Sequence, residues 1–156
     1  MWHHVLMTKA GTAVATATAK QLNDYFEDWL GTSAESEQQV VHLVEAGLPS
    51  NVIPRLINHG LLETEVFHII INLRTFKHRK SKNQRLSKEE SERAVRTVRI
   101  ISRAQSTLGD QERALQWLRT PKKRFEGRTP FQMLSTEIGG RLVEQMLIQI
   151  DEGMFG

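Results

Sequence analysis

Between Ser87 and Gly109, the residues Ala94, Val95, Val98, Ile101, Ala104 and Leu108 return every three or four positions. That period puts them on one stripe of an α-helix and conflicts with the two-residue alternation of a half-buried strand. Ser87-Lys88-Glu89-Glu90 supplies the hydroxyl and returning carboxylate of a capping box, and Gly109 stops the helix. A helix with such a stripe has to bury it against other elements. The rest of the chain repeats this pattern of cap, stripe and stop, and its β-branched residues also fall at helical spacing. The expected fold class is therefore all-α.

Residues 8–19 are small and threonine-rich without a clear period, and read as an arm of uncertain structure. Leu22, Tyr25, Phe26, Trp29 and Leu30 form a helical stripe halted at Gly31, so residues 1–31 make an N-terminal helical arm. That aromatic stripe packs either on the chain's own core or on a second copy. Thr32 with Glu35 can cap the next helix, whose stripe is Val40, Val41, Val44 and Leu48. GLPSNVIPRLINHG predicts a helix capped by Ser50, with Pro54 in its first turn and Gly60 at its end. Thr64 opens another through Ile70, burying Val66, Phe67 and Ile70. Asn72 caps LRTFKHRK, in which Leu73 and Phe76 point inward. Beyond the long helix, Asp110 caps a segment with Ala114, Leu115 and Leu118 inward, followed by the basic loop PKKRFEG. Thr129-Pro130-Phe131-Gln132 is a further cap. A last helix after Gly139-Gly140 carries Val143, Met146, Leu147 and Ile150, with Leu142 beside them.

Three short helices joined by three- or four-residue turns, over 50–80, have the pattern of a helix-turn-helix unit. IIIN fills the second turn, where a glycine is common. Charge singles out the same place. Residues 1–73 hold 3 basic and 8 acidic side chains, residues 74–103 hold 11 and 3, and the remainder balances at 7 and 7. Arg74 to Lys88 carries seven cations and no anion. In such a unit the third helix enters the major groove. Phe76 would anchor it, Arg74, Thr75, Lys77 and His78 would face base edges, and Arg79, Lys80, Lys82 and Arg85 would meet phosphates. Arg93, Arg96, Arg99 and Arg103 form a line on the long helix that either extends this surface or pairs with acidic partners.

At 156 residues the chain suits one domain or two small ones sharing a core. No apolar run approaches the roughly 20 residues that span a bilayer, and the first residues lack the charged start of a signal peptide. No membrane association is expected, and the cytoplasm is the expected location. The absence of cysteine excludes thiol nucleophiles, disulfides and thiolate metal sites. The six histidines make no HExxH or other ligand spacing, no serine sits in a nucleophile elbow, and the carboxylates form no evident pair. We therefore expect no enzyme, cofactor or metal.

The chain closes on IDEGMFG, with Met154 and Phe155 just past a helix stop. Burying a Met or Phe is worth about 1.5–3 kcal/mol. The pair is therefore expected either to fold back on its own last helix or to enter a partner's pocket.

GLPSNVIPRL, RTFKHRKSKNQRLSKEESER, LGDQERALQWLRTP and GRTPFQMLSTEIGGRLVEQMLIQIDEGMF together resemble the Xre/MbcA/ParS family of antitoxins, from about Val44 to Phe155. The resemblance implies a Cro-like helix-turn-helix region (32–86) that binds operator DNA and represses its own operon. It also implies a small helical toxin-binding domain (87–156). The implied partner is a RES-type toxin that degrades NAD, with Glu152, Gly153, Met154, Phe155 and Gly156 reaching its active-site cleft. A homodimer or higher oligomer is expected. The rival is a stand-alone helix-turn-helix regulator whose C-terminal domain only oligomerises.

Overall fold

In the computed structural model, which describes residues 23–153, helix α5 (Lys88–Leu108) is the axis on which the other elements pack. It is preceded by a helical turn ending in a π-wound segment, Phe26–Leu30, and by α1 (Glu37–Ala46), α2 (Val52–His59), α3 (Glu63–Ile69) and α4 (Leu73–Ser81). It is followed by α6 (Gln111–Leu118), a 3₁₀ turn Lys123–Phe125, the single turn α7 (Pro130–Met133) and α8 (Glu137–Asp151). No strand occurs among the described residues, and no helix there is long and apolar enough to cross a membrane. The arm 8–19, Leu22, Met154, Phe155 and Gly156 lie outside them.

The α5 stripe behaves as its period requires. Ala94, Val95, Val98, Ile101 and Ala104 are buried, with Ile100 beside them, while α6 and α8 pack on one side and α1 on another. The aromatic helix before α1 folds onto the chain's own core. Phe26, Trp29 and Leu30 are buried, and Trp29 meets the His59 ring edge-on at a 4.3 Å centroid distance. Those three side chains are therefore unavailable to a second copy. Arg55 closes this contact by donating to the Glu27 carbonyl at 2.8 Å.

Several caps differ from expectation. Ser36, not Thr32, caps α1: its hydroxyl accepts from Gln39 N, while the Gln39 side chain accepts from Glu35 N at 2.8 Å. The shift of one turn follows from Ala34, which is fully buried and keeps the chain extended before the helix. At α2 the cap position is Asn51, not Ser50: its carbonyl accepts from Arg55 N at 3.3 Å, and no side chain caps the helix. α3 begins at Glu63, with the Glu65 carboxylate accepting from Leu62 N at 2.9 Å. The boxes at Ser87–Glu90 and Thr129–Gln132 and the Asp110 cap are formed as expected.

The turn between α3 and α4 shows why it needs no glycine. Ile70 stays in right-handed backbone, and Ile69, Ile70 and Ile71 are all buried. Arg93 of α5 donates to the Ile70 carbonyl at 2.9 Å. Apolar anchoring and one guanidinium hold what conformational freedom would otherwise permit.

A second attachment fixes α4. Glu90, buried in the first turn of α5, accepts from Ser87 N at 2.7 Å and from the Arg79 guanidinium at 3.1 and 3.3 Å. Burial alone would raise this carboxyl, but the hydrogen bonds from Arg79 and Ser87 and the Arg79 charge hold it below the usual carboxylate range. The strand-like return 83–86 is also bound: Arg85 donates to the Gly47 carbonyl at 2.9 Å and Leu86 N to the Leu48 carbonyl at 2.9 Å.

Helix α8 starts at Glu137, ahead of the Gly139-Gly140 pair after which it was expected, with Thr136 as its cap. Both glycines are buried inside the helix because other chain segments press on them. A β-carbon at Gly139 would lie 1.9 Å from the Met133 carbonyl oxygen.

Two outcomes follow. Gly139→Ala should lower stability by about 3 kcal/mol or more, since the obstacle is backbone, and lower Tm by roughly 6–12 °C in a thermal melt. Arg79→Ala and Glu90→Gln should each cost about 2 kcal/mol by removing one member of a largely buried pair. Because the folded Glu90 value is depressed, the pair stabilises above the unfolded value of about 4.3 and is lost as pH falls through the folded one. Urea titrations from pH 7 to 3 should show the wild-type advantage over Glu90→Gln shrinking in that acid window.

Candidate functional site

Helix α4 carries the densest positive charge of the chain. Asn72 starts it, its side-chain oxygen accepting from Arg74 N at 2.8 Å, and no acidic residue lies within Leu73–Ser81. Phe76 turns inward to stack on Phe67 of α3, with centroids 5.6 Å apart. That contact fixes the rotation of the helix. Arg74, Lys77, His78 and Lys80 then stand exposed on it, Thr75 is half-buried beside them, and Lys82 is exposed at its end. Leu73, expected to point inward, is 44% exposed. Ile71 and Phe76 occupy the space beneath α4, so the first helical residue projects outward.

Two of the cations assigned to phosphates make contacts within the chain. Arg79 is held by Glu90, and Arg85 by the Gly47 carbonyl. The arginine line of α5, left open by the sequence, is also directed into the protein. Arg93 reaches the Ile70 carbonyl, Arg96 the Leu134 carbonyl at 3.0 Å, Arg99 the Glu37 carboxylate at 2.7 Å, and Arg103 lies 3.9 Å from Asp151. Half-burial lowers the Arg96 guanidinium from its usual value. These four side chains fasten α5 to the α3–α4 turn, to α7, to α1 and to the end of α8. Of the cations assigned to DNA, Arg74, Lys77, Lys80 and Lys82 thus remain exposed on the outward side of α4 and at its end.

The C-terminal part is built on α6, α7 and α8. Phe125 and Phe131 are buried between them, and Lys122 lies 4.6 Å from the Trp117 ring centroid, its amine lowered by burial. Arg119 bridges this part to the helix-turn-helix region, donating to Glu65 at 2.6 Å and to the Gly60 carbonyl at 3.0 Å. On α8, Val143, Met146 and Leu147 are buried, whereas Ile138 is 73% and Leu142 43% exposed. Glu152 and Gly153, the described part of the tail, are exposed at the end of α8.

The sequence did not single out Ile138, and it placed Leu142 beside the buried stripe. The signal was available. Positions 138 and 142 share a face displaced from 143, 146, 147 and 150 on the helical wheel. Glu90 was read only as a cap. Its second role depends on Arg79 lying close in space, which spacing along one chain does not reveal.

Among the described residues no group of His, Asp or Glu could hold a metal ion. His42, His68 and His78 are exposed, and His59 packs on Trp29. The surface features present are a cationic helix, α4, and the exposed apolar pair Ile138 and Leu142 on α8.

Comparison with known proteins gives this arrangement a lineage. The Antitoxin Xre-like helix-turn-helix domain matches residues 39–99, and the Antitoxin Xre/MbcA/ParS C-terminal toxin-binding domain matches residues 103–153. The Antitoxin Xre of Pseudomonas putida is 37% identical over 118 residues, which is 76% of this chain and 74% of that protein. The Antitoxin Xre of Photorhabdus laumondii is 27% identical over 128 residues, covering 80% and 86%. A Sphingobium protein named Prs ADP-ribosylating antitoxin is 25% identical over 126 residues, covering 74% and 79%. With a helix-turn-helix unit joined through one long helix to a matched toxin-binding segment, this chain belongs to the Xre antitoxin family.

Proposed function

We propose that this chain is the antitoxin of a toxin–antitoxin pair, blocking a RES-type enzyme that degrades NAD and repressing its own operon by binding operator DNA. The observation that carries the DNA half is α4: four exposed cationic or imidazole side chains on one helix without an acid, its rotation set by Phe76. Arg74 and Lys77, nearest its N-terminus, serve base edges and adjacent phosphates. Lys80 and Lys82 serve phosphates. Arg79 contributes chiefly by fixing the helix through Glu90, and Arg85 by fixing the return segment through Gly47. Thr75 and His78 complete the groove-facing set.

The toxin half rests on the matched segment 103–153 and on the helices that frame it. Here residues 32–86 act as the DNA-binding region and 87–156 as the toxin-binding region, with the first turns of α5 serving both. Glu152, Gly153, Met154, Phe155 and Gly156 enter the toxin's cleft, where apolar burial and carboxylate charge suit a site built for a phosphate-bearing substrate. A homodimer would place two copies of α4 on successive half-sites, as paired recognition helices require, and the cytoplasm is where both partners meet.

Two measurements test these assignments. Arg74→Ala with Lys77→Ala should weaken operator binding about tenfold or more at fixed salt. It should also flatten the slope of log K against log salt by about 2, with the melt unchanged. Unchanged operator affinity would remove α4 from the interface. Deleting 154–156 should leave the thermal melt intact but release NAD loss in cells co-expressing the toxin. Full protection by the deletion variant would show that the tail is not the inhibitory element.

A further inference from the structure

Five large apolar side chains stand exposed among the described residues: Val41, Leu62, Leu73, Ile138 and Leu142. The first three are scattered over α1, the start of α3 and the start of α4. The last two lie one helical turn apart on α8, within the segment matched to the toxin-binding domain. Gln145 and Gln149 follow on the same face at i+7 and i+11 from Ile138, Gln145 exposed and Gln149 half-buried with its side-chain oxygen accepting from the Arg124 guanidinium at 2.6 Å. The adjoining flank of α8 differs, with Glu137 and Arg141 paired at 2.6 Å and Glu144 exposed beside them. The inner side is committed to the core through Val143, Met146 and Leu147.

We propose that Ile138 and Leu142 form the apolar centre of the surface on which the toxin sits, with Gln145 and the Arg124–Gln149 pair as its polar margin. This rests on the toxin-binding reading above and assigns it a face. Two observations favour a protein partner here. The exposed pair is concentrated in the segment matched to toxin binding, where the other large apolar side chains are buried or half-buried. The same helix also leads directly into Glu152 and Gly153, so contact along α8 would aim the tail. From Ile138 to Gly153 the path is about 22 Å at 1.5 Å per residue, long enough for a docking patch and a separate insertion point. Apolar side chains ringed by polar groups are the usual make-up of an interface centre. The exposed Gln145 amide permits hydrogen bonds beside the apolar centre without the desolvation cost of buried charge.

The test uses the full chain and a purified RES-type enzyme. Ile138→Lys and Leu142→Glu, singly and together, are compared with Arg141→Ala on the charged flank. Each apolar variant should weaken the toxin Kd about tenfold, and the pair about a hundredfold. Melting temperature and operator affinity should stay as in wild type, because both side chains are exposed. Arg141→Ala should change the toxin Kd by less than about twofold. If wild type binds and the double variant binds within about twofold of it, this face is not the interface. If the double variant instead alters the chain's own oligomeric state while toxin affinity holds, the face belongs to a second copy and the proposal is overturned. A wild-type chain that does not bind that enzyme overturns the toxin reading itself, and the face falls with it.

Discussion

The carboxylate of Glu90 is the point at which the cationic helix α4 is joined to the long helix α5. It closes the first turn of α5 by accepting from Ser87 N and holds α4 by accepting two hydrogen bonds from Arg79. An ordinary capping glutamate is exposed and worth about 1 kcal/mol to its own helix. Here the same group is 6% exposed and fastens the helix that bears the cationic face. Burying a carboxylate is costly unless its oxygens are satisfied, and three donors satisfy these. The neighbouring Ser91 hydroxyl, also buried, accepts from Leu48 N at 2.9 Å and brings the segment after α1 to the same turn of α5. One helical turn thus organises three elements.

Positive charge does two kinds of work in this chain, and geometry separates them. On α4, Arg74, Lys77 and Lys80 point into solvent with no carboxylate on their helix, so their field adds outward. On α5 the guanidiniums end on carbonyls and carboxylates of neighbouring helices. Arginine suits this second use because its long stem covers apolar surface while its planar head donates at the edge of the core. The net charge of the thirty-residue basic stretch therefore overstates the surface available to a polyanion. Arg79, Arg85, Arg93, Arg96, Arg99 and Arg103 all contribute to that total and all are engaged within the chain.

Legibility in the sequence followed the range of the interaction. The long helix, its box at Ser87–Glu90, the stop at Gly109, the Asp110 cap and the Thr129–Gln132 box depend on residues three or four apart and were readable. The cap of α1 was misplaced at Thr32 because Ser36 competes locally, and the choice depends on where Ala34 is buried. Leu73 was assigned to the core by its hydrophobicity, but the space beneath α4 was already filled by Ile71 and Phe76. The Gly139-Gly140 pair looked like a helix boundary and is instead a packing requirement, invisible until the Met133 carbonyl is placed against it. The cationic helix was found by composition. Which of its members are free was not, because Glu90 and Gly47 approach from distant parts of the chain.

That contrast also explains how one short chain can serve two partners. In the proposed arrangement the outward side of α4 is charged and acts at a distance, over roughly a Debye length of 8–10 Å, whereas the Ile138–Leu142 patch of α8 acts only on contact. The two surfaces thus draw on different physical terms. A residue can change on one without disturbing the energetics of the other. Yet they are not mechanically independent, because α5 is a single helix of 21 residues with Arg93 bound to the α3–α4 turn and Arg103 beside the end of α8. An element held at both ends in this way fixes the orientation of α8 relative to α4 through side-chain contacts rather than through a linker. Energetic separation with geometric rigidity is what a molecule needs if it is to hold DNA and protein in a defined relation.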